Sequence, residues 1–371
     1  MNNKTRVMLC DDSAVMRRLI KTAISSVPSL QVVFEARHGR EAVDQIGRVK
    51  PDVIVMDVEM PVMDGIDTVR EVRRHHRTLP VIMFSSLTSR GAEATLDAIA
   101  AGASDFATKP VGAGHVDEAM EHLRVNLIPK ILQWRKPEPA SPAVRIMPQP
   151  ATKAPAAVPR TDTPKAAVPR PRVSAGPVSA IAIGVSTGGP AALAKLVDGL
   201  PVDLPVPILI AQHMPPVFTS LLAERLASQK GHAVREAADG EPVRPGDIFI
   251  APGDNHMAVV RDKTTVRIAL NQDAPEHSCR PAADQLFRSV ADVYGSRALG
   301  VVLTGMGHDG TAGARALSKQ GARILVQDEE SSVVWGMPGA VSQEGLADQT
   351  IPLDQMASEL LRHVRKPMPV A

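Results

Sequence analysis

Aromatic side chains are scarce in this chain: six Phe, two Trp and one Tyr among 371 residues, 2% in all. Its cores must therefore be packed by Val, Ile, Leu, Ala and Met. Cysteine occurs only at Cys10 and Cys279, which excludes a disulfide framework and a Cys-based zinc site and leaves packing as the expected role of both. The N-terminal residues lack the apolar stretch of a signal peptide, and no run approaches the roughly 20 apolar residues needed to cross a bilayer, so a cytoplasmic protein is expected. Charge of one sign is also missing from the bulk of the chain. The net +2 conceals a +5 segment at 136–176, leaving the remainder mildly acidic and without the basic face a nucleic-acid-binding domain would need.

What the chain does have is length enough for two cores and a tether between them. Residues 136–176 hold ten prolines, with the near-repeats KAPAAVPR and PKAAVPR, and cannot sustain helix or sheet. The expected division is 1–132, a linker over 133–177, and 178–371. In the first part, apolar strands at 6–10, 31–35, 53–57, 81–84 and 104–107 alternate with helices. One helix carries Met16, Leu19, Ile20 and Ala23 on a single face. Five such units predict a flavodoxin-like α/β domain with a five-stranded parallel sheet. The third part alternates again, with strands at 180–185, 206–212, 247–251, 298–304 and 323–327. It predicts a doubly wound α/β domain, with residues 259–268 as an antiparallel hairpin added to the sheet.

Ligands of such sheets sit at the carboxyl ends of the strands. There the first domain places Asp11, Asp12, Asp57, Ser85 and Lys109. Clustered carboxylates offer oxygen ligands for Mg²⁺, and an aspartate beside them can accept a phosphoryl group whose oxygens a lysine and a hydroxyl then hold. Asp57 is the candidate nucleophile, because the run Val53-Ile-Val-Met delivers it straight into a loop; a turn cap is the plainer alternative. The Asp11-Asp12 pair, Met56-Asp57, Met60-Pro61, Asp64-Gly65, Ser85 and Lys109-Pro110 together resemble the receiver domain of response regulators over residues 4–130. The resemblance implies phosphorylation of Asp57 by a chemotaxis-type histidine kinase. It also implies Mg²⁺ held by Asp12, Asp57, Asp11 through water and the backbone carbonyl of Glu59, with Phe106 at the aromatic switch position.

In the third part, Gly184-Val-Ser186-Thr-Gly188 joins a strand to a helix, a turn that exposes a nucleophilic serine beside helix N–H groups. A phosphate-binding or plain glycine loop is the alternative reading. His213 ends an apolar strand at the same sheet edge, whereas His232, His256, His277, His308 and His363 fall in more polar or loop settings. Asp309 lies in TGMGHDG just past another strand. The Gly305 to Gly310 spacing also resembles a P-loop, but Thr311 stands where the P-loop lysine would be. Ser186 as nucleophile, His213 as base and then acid, and Asp309 as orienting carboxylate would form a triad. Its order differs from that of the α/β-hydrolases.

GVSTGGP, QHMPPVFTSLLAERL, IFIAPGDNHM, HSCRPAADQLFRSVA and LTGMGHDG resemble, in order, the catalytic domain of the chemotaxis protein-glutamate methylesterases over residues 178–366. Arg280-Pro281-Ala282 departs from the Pro-Ser pair common there, which bears on local substrate contacts. The resemblance implies hydrolysis of glutamate γ-methyl esters on methyl-accepting chemotaxis receptors, with release of methanol, and deamidation of receptor glutamines. No cofactor for ester hydrolysis is implied, and recruitment to receptor arrays without membrane insertion is expected. The backbone amides of Thr187 and Met306 are candidate oxyanion donors. The family's unphosphorylated receiver covers the catalytic cleft, so relief of inhibition is the expected switch. Two rivals make opposite demands: a DNA-binding output would be compact, helical and basic, and a noncatalytic nucleotide-binding output would use GVSTGGP and TGMGHDG as phosphate loops.

Overall fold

The structure is a computed structural model that describes residues 4–110, 116–134 and 177–364. Most of the expected tether, 135–176, lies outside the described residues. The first sheet has five parallel strands: β1 Thr5–Cys10, β2 Leu30–Ala36, β3 Val53–Asp57, β4 Val81–Ser85 and β5 Asp105–Thr108. Their order is β2-β1-β3-β4-β5, so the sequence direction reverses between β1 and β3. Asp11 follows the first of these strands and Asp57 ends the second. The crevice of a parallel α/β sheet opens at such a reversal, which is why the acidic residues meet there.

The interior of β3, VIVMD, is buried throughout, as expected of a strand covered by helices on both faces. Side-chain caps start the helices that follow the strands. Ser13 accepts from Met16 N, Asp64 from Asp67 N and Thr88 from Gly91 N, each satisfying an amide that the first turn leaves without a partner.

The second sheet has seven strands: β6 Ala180–Val185, β7 Ile208–Gln212, β8 Val234–Glu236, β9 Ile248–Ile250, β12 Ala298–Val302, β13 Arg323–Gln327 and β14 Gln349–Ile351. All neighbours pair in parallel, in the order β14-β13-β12-β6-β7-β9-β8. This doubly wound sheet reverses between β6 and β12, so the loops after those strands, carrying Ser186 and Asp309, leave the same crevice. The hairpin strands β10 His256–Asp262 and β11 Thr265–Asn271 pair with each other as a separate two-stranded sheet, and do not extend the main one as the sequence suggested. Their apolar face, with Met257, Val259 and Ile268, is already buried in a core shared with the helix Ala283–Tyr294.

The few aromatics are used inside. Phe84, Phe218, Phe249 and Phe287 are fully buried. The two sheets also share a face: the helix Ser89–Ala100 of the first domain lies against the helices Gly189–Asp198 and Phe218–Lys230 of the second.

Among the described residues, no helix is long and apolar enough to cross a membrane. Gly65 fixes the path of the loop after β3, because a Cβ there would meet the Asp57 carbonyl at 2.3 Å, a backbone atom that cannot swing away. Gly65→Ala is expected to destabilise the first domain by about 1–3 kcal/mol, read as a lowered urea midpoint; an unchanged midpoint would show that the loop yields.

Candidate functional site

The acidic pocket brings together Asp11, Asp12, Asp57, Ser85 and Lys109, with Glu59 also in its lining. Oxygens of Asp11, Asp12 and Asp57 lie within 4.8 Å of one another. Lys109 Nζ is 2.7 Å from Asp57 Oδ2 and 3.3 Å from Asp11 Oδ2. The second contact is an ion pair without hydrogen-bond geometry, so the buried Asp11 Oδ2 has no hydrogen-bond donor. Three carboxylates around one lysine leave excess negative charge. Burial, and then Asp11, push the Asp57 carboxyl up to about 6, against the pull of Lys109 and the Val58 amide. This oxygen-rich, under-neutralised set fits Mg²⁺. The Glu59 side chain pairs with Arg90 at 3.1 Å, and both residues line the pocket. Ser85 lines the pocket, and its hydroxyl donates to Gly91 O at 2.9 Å.

In the second domain, Ser186 stands at the end of β6, where its N–H donates to Thr304 O at 3.0 Å. The crossing is tight: a Cβ on Gly305 would lie 2.9 Å from the Ser186 Cβ, and Gly188, at φ +78°, faces Val333 where a Cβ would come within 2.6 Å. Gln212 Nε2 donates to Ser186 O at 3.1 Å and braces the turn from β7. His213 follows at the end of β7. Its Nε2 is 2.7 Å from Asp309 Oδ2, so with Asp309 ionised this nitrogen is the donor.

Asp309 is 1% exposed and fully engaged. It also accepts from Ala283 N at 2.6 Å, Asp284 N at 2.9 Å and Gly310 N at 2.8 Å. Burial opposes its charge, but His213 and the first amides of the helix Ala283–Tyr294 outweigh it and bring the carboxyl down to about 2. Burial likewise opposes charge on His213. The hydrogen bond to Asp309 and its negative charge, with Cys279 alongside, prevail and raise the imidazole well above its ordinary value. Among the described residues, no hydrogen bond joins Ser186 to the imidazole, but both open on one cleft of about 790 Å³. Free active sites are often this loose before substrate enters.

The first domain forms one wall of that cleft. Asp105 Oδ2 accepts from Thr187 Oγ1 at 3.0 Å and from Lys130 Nζ at 2.7 Å. The ring of Phe106 stacks on Phe218, with centroids 4.6 Å apart and planes 8° from parallel. Arg225 pairs with Asp97 at 2.7 Å. A carboxylate of one domain thus bonds the residue next to the candidate nucleophile of the other.

Comparison with known proteins accords with this geometry. Residues 7–121 match the family model described as response regulator receiver domain, and 181–360 match CheB methylesterase. A protein-glutamate methylesterase/protein-glutamine glutaminase of Trichodesmium erythraeum is 45% identical over 97% of this chain and 99% of its own. The chain belongs to the CheB methylesterase family. The equivalently named protein of a Nocardioides species is also 45% identical, over 98% of this chain and 96% of its own. The crystal structure of the Thermotoga maritima CheB methylesterase catalytic domain is 40% identical, covering 50% of this chain and 98% of that one, with a TM-score of 0.49. The methylesterase match spans Ser186, His213 and Asp309, and the receiver match spans Asp11, Asp57 and Lys109.

The structure adds residues that sequence reasoning missed. Cys279, expected to be packing, lines the cleft against His213, because the turn after β11 carries it there; Cys10 is indeed buried in β1. His256 is fully buried, not polar in setting. Its Nδ1 accepts from Ala282 N at 3.2 Å, just before the amides that hold Asp309. Thr187 is buried and Met306 exposed, and both line the cleft with Ser186. The nucleotide-binding alternative is not favoured, because residues 181–360 match a methylesterase and the aspartate of TGMGHDG is held by the first amides of a different helix, Ala283–Tyr294.

The raised Asp57 carboxyl has a consequence for stability. Its folded pKa lies above its ordinary 3.8, so the folded chain holds this proton more tightly. Ionising Asp57 therefore costs stability, fully above about pH 6 and not at all well below pH 3.8. In Mg²⁺-free buffer, Asp57→Asn is expected to stabilise the receiver by about 1–3 kcal/mol at pH 7–8, with the gain fading as pH falls towards 4. Urea denaturation across that range checks it, and a gain that grows on acidification would contradict the assignment.

Proposed function

We propose that this chain is a phosphorylation-gated hydrolase of glutamate γ-methyl esters on methyl-accepting chemotaxis receptors that also deamidates receptor glutamines. The observation that carries the reading is the His213–Asp309 hydrogen bond opening on the cleft that Ser186 lines. In this reading Ser186 Oγ attacks the ester carbonyl as His213 takes its proton. The tetrahedral oxyanion is held by backbone amides near Thr187 and Met306. Collapse expels the methoxy group, which leaves as methanol with the proton returned by His213. Water then cleaves the acyl-serine by the same proton path, regenerating Ser186 and a free glutamate. With a glutamine substrate the leaving group is ammonia.

Asp57 is the phosphoryl acceptor, supplied by a chemotaxis histidine kinase. Asp12, Asp57, Asp11 through water and the Glu59 carbonyl would hold Mg²⁺, which when bound offsets the charge of the incoming phosphoryl group. Lys109 is already at Asp57, and Ser85 would turn from Gly91 towards the phosphoryl oxygens. Support for gating comes from the wall that the receiver builds across the cleft through Asp105, Lys130 and Phe106. Phosphorylation would shift the equilibrium of that face away from docking and admit receptor. The protein would act in the cytoplasm, at receptor arrays.

Two measurements test this reading. Methanol release from methylated receptor membranes should vanish in Ser186→Ala. It should rise with a small-molecule phosphodonor and Mg²⁺ in the native chain but not in Asp57→Ala; release independent of Ser186 would sink the proposal.

The second is a pH profile. A general base must be neutral, so kcat/KM should climb with pH until the elevated His213 pKa is passed. Asp309→Asn removes the charge that raises it. That variant should move the inflection to lower pH while cutting the plateau by about 10³–10⁴-fold. An inflection that does not move would separate Asp309 from the imidazole.

A further inference from the structure

Outside the triad and the acidic pocket, a second cluster of metal-ligating side chains lies at the rim of the cleft. Glu276, His277 and Asp284 each present a ligand atom, all within 4.8 Å of one another. His277 Nε2 and Asp284 Oδ2 are 3.0 Å apart, close to the roughly 3.3 Å edge between two ligands that bond one tetrahedral ion at about 2.0 Å. Two features hold this set before any ion arrives. Asp284 is 1% exposed, and its other oxygen accepts from Gly313 N, which fixes the carboxylate. Glu276 and Cys279 exchange backbone hydrogen bonds at 3.1 and 2.8 Å, closing a turn that aims Glu276 and His277 at the helix start. The ring of His277 is further set by His308, edge-on with centroids 4.4 Å apart.

We propose that Glu276, His277 and Asp284 bind a zinc-class divalent cation at the rim of the catalytic cleft. One imidazole and two carboxylates suit Zn²⁺, whereas Mg²⁺ prefers oxygen alone and octahedral geometry. His277 itself lines the cleft, so a position for water or a substrate oxygen stays on the solvent side. Arg288 pairs with one oxygen of Glu276 and would remain as the partner that orients this carboxylate. The ion would clamp the 276–279 turn, with Cys279 against His213, to the helix whose first amides hold Asp309. The site thus connects metal availability to the triad without supplying a step of the reaction.

The test is calorimetric titration of Zn²⁺ into the chelator-stripped full chain, with Mg²⁺ in excess to fill the receiver pocket. One Zn²⁺ per chain is expected. His277→Ala, on an accessible turn, and Asp284→Asn, which keeps the acceptor for Gly313, should each weaken binding at least about tenfold. Asp57→Asn and Cys279→Ser should leave it unchanged. Absence of zinc binding, retention of full affinity by His277→Ala, or loss of binding in Asp57→Asn or Cys279→Ser would overturn the assignment.

Discussion

The buried carboxylate of Asp309 is the constraint on which the catalytic half depends. A lone buried charge is strongly unfavourable, and here it is held by three backbone amides and one imidazole. Those donors come from the strand end at His213, the start of the helix Ala283–Tyr294 and the aspartate's own loop. Satisfying one carboxylate therefore ties three distant segments into a single geometry. The same bonds keep Asp309 ionised and so bias His213 towards its charged form. Buried His256 extends the support by holding Ala282 in front of the two amides. Ser186 is held by Thr304 and by Gln212, the residue before His213, and His213 N in turn donates to Val185 O, so Ser186 and His213 share their bracing at the ends of neighbouring strands.

The receiver meets this centre with a mixture of forces that suits a reversible contact. The Phe106–Phe218 stack and the helix Ser89–Ala100 bury apolar surface, which gives attraction without strict direction. Asp105 adds direction, since its carboxylate is shared between Lys130 and Thr187. Phe106 follows Asp105 in β5, whose other end leads to Lys109 at the acidic pocket. The strand that reports on the acidic pocket is thus also the strand that touches the residue after Ser186. A change in the pull on Lys109 has only a few residues to travel before it reaches the interface.

Much of this was legible in particular residues. The apolar run VIVMD read as a buried strand, and it placed Asp57 at a strand end; the period of Met16, Leu19, Ile20 and Ala23 gave the first helix. GVSTGG and TGMGHDG marked tight strand exits, where the structure finds side chains packed against Gly188 and Gly305. The residues that escaped notice have no local signature. Gln212, Asp105, Lys130 and Phe218 look like ordinary strand, loop and helix residues, and acquire roles only from partners tens of positions away. The hairpin was misplaced for a related reason: alternation reveals a two-sided strand but not which edge, if any, it joins.

The sequence by itself determined two α/β cores, the strand ends at which chemistry gathers, and the family to which the chain belongs, because periodicity, glycine turns and strand-end polar residues are local properties. Tertiary structure alone decided that Nε2 of His213 faces Asp309, that Cys279 sits beside that imidazole, and that Asp105 of one domain reaches Thr187 of the other. Each of these depends on how separately folded segments are brought together by burial and on which polar groups must then find partners, and neither is written in any short stretch of chain.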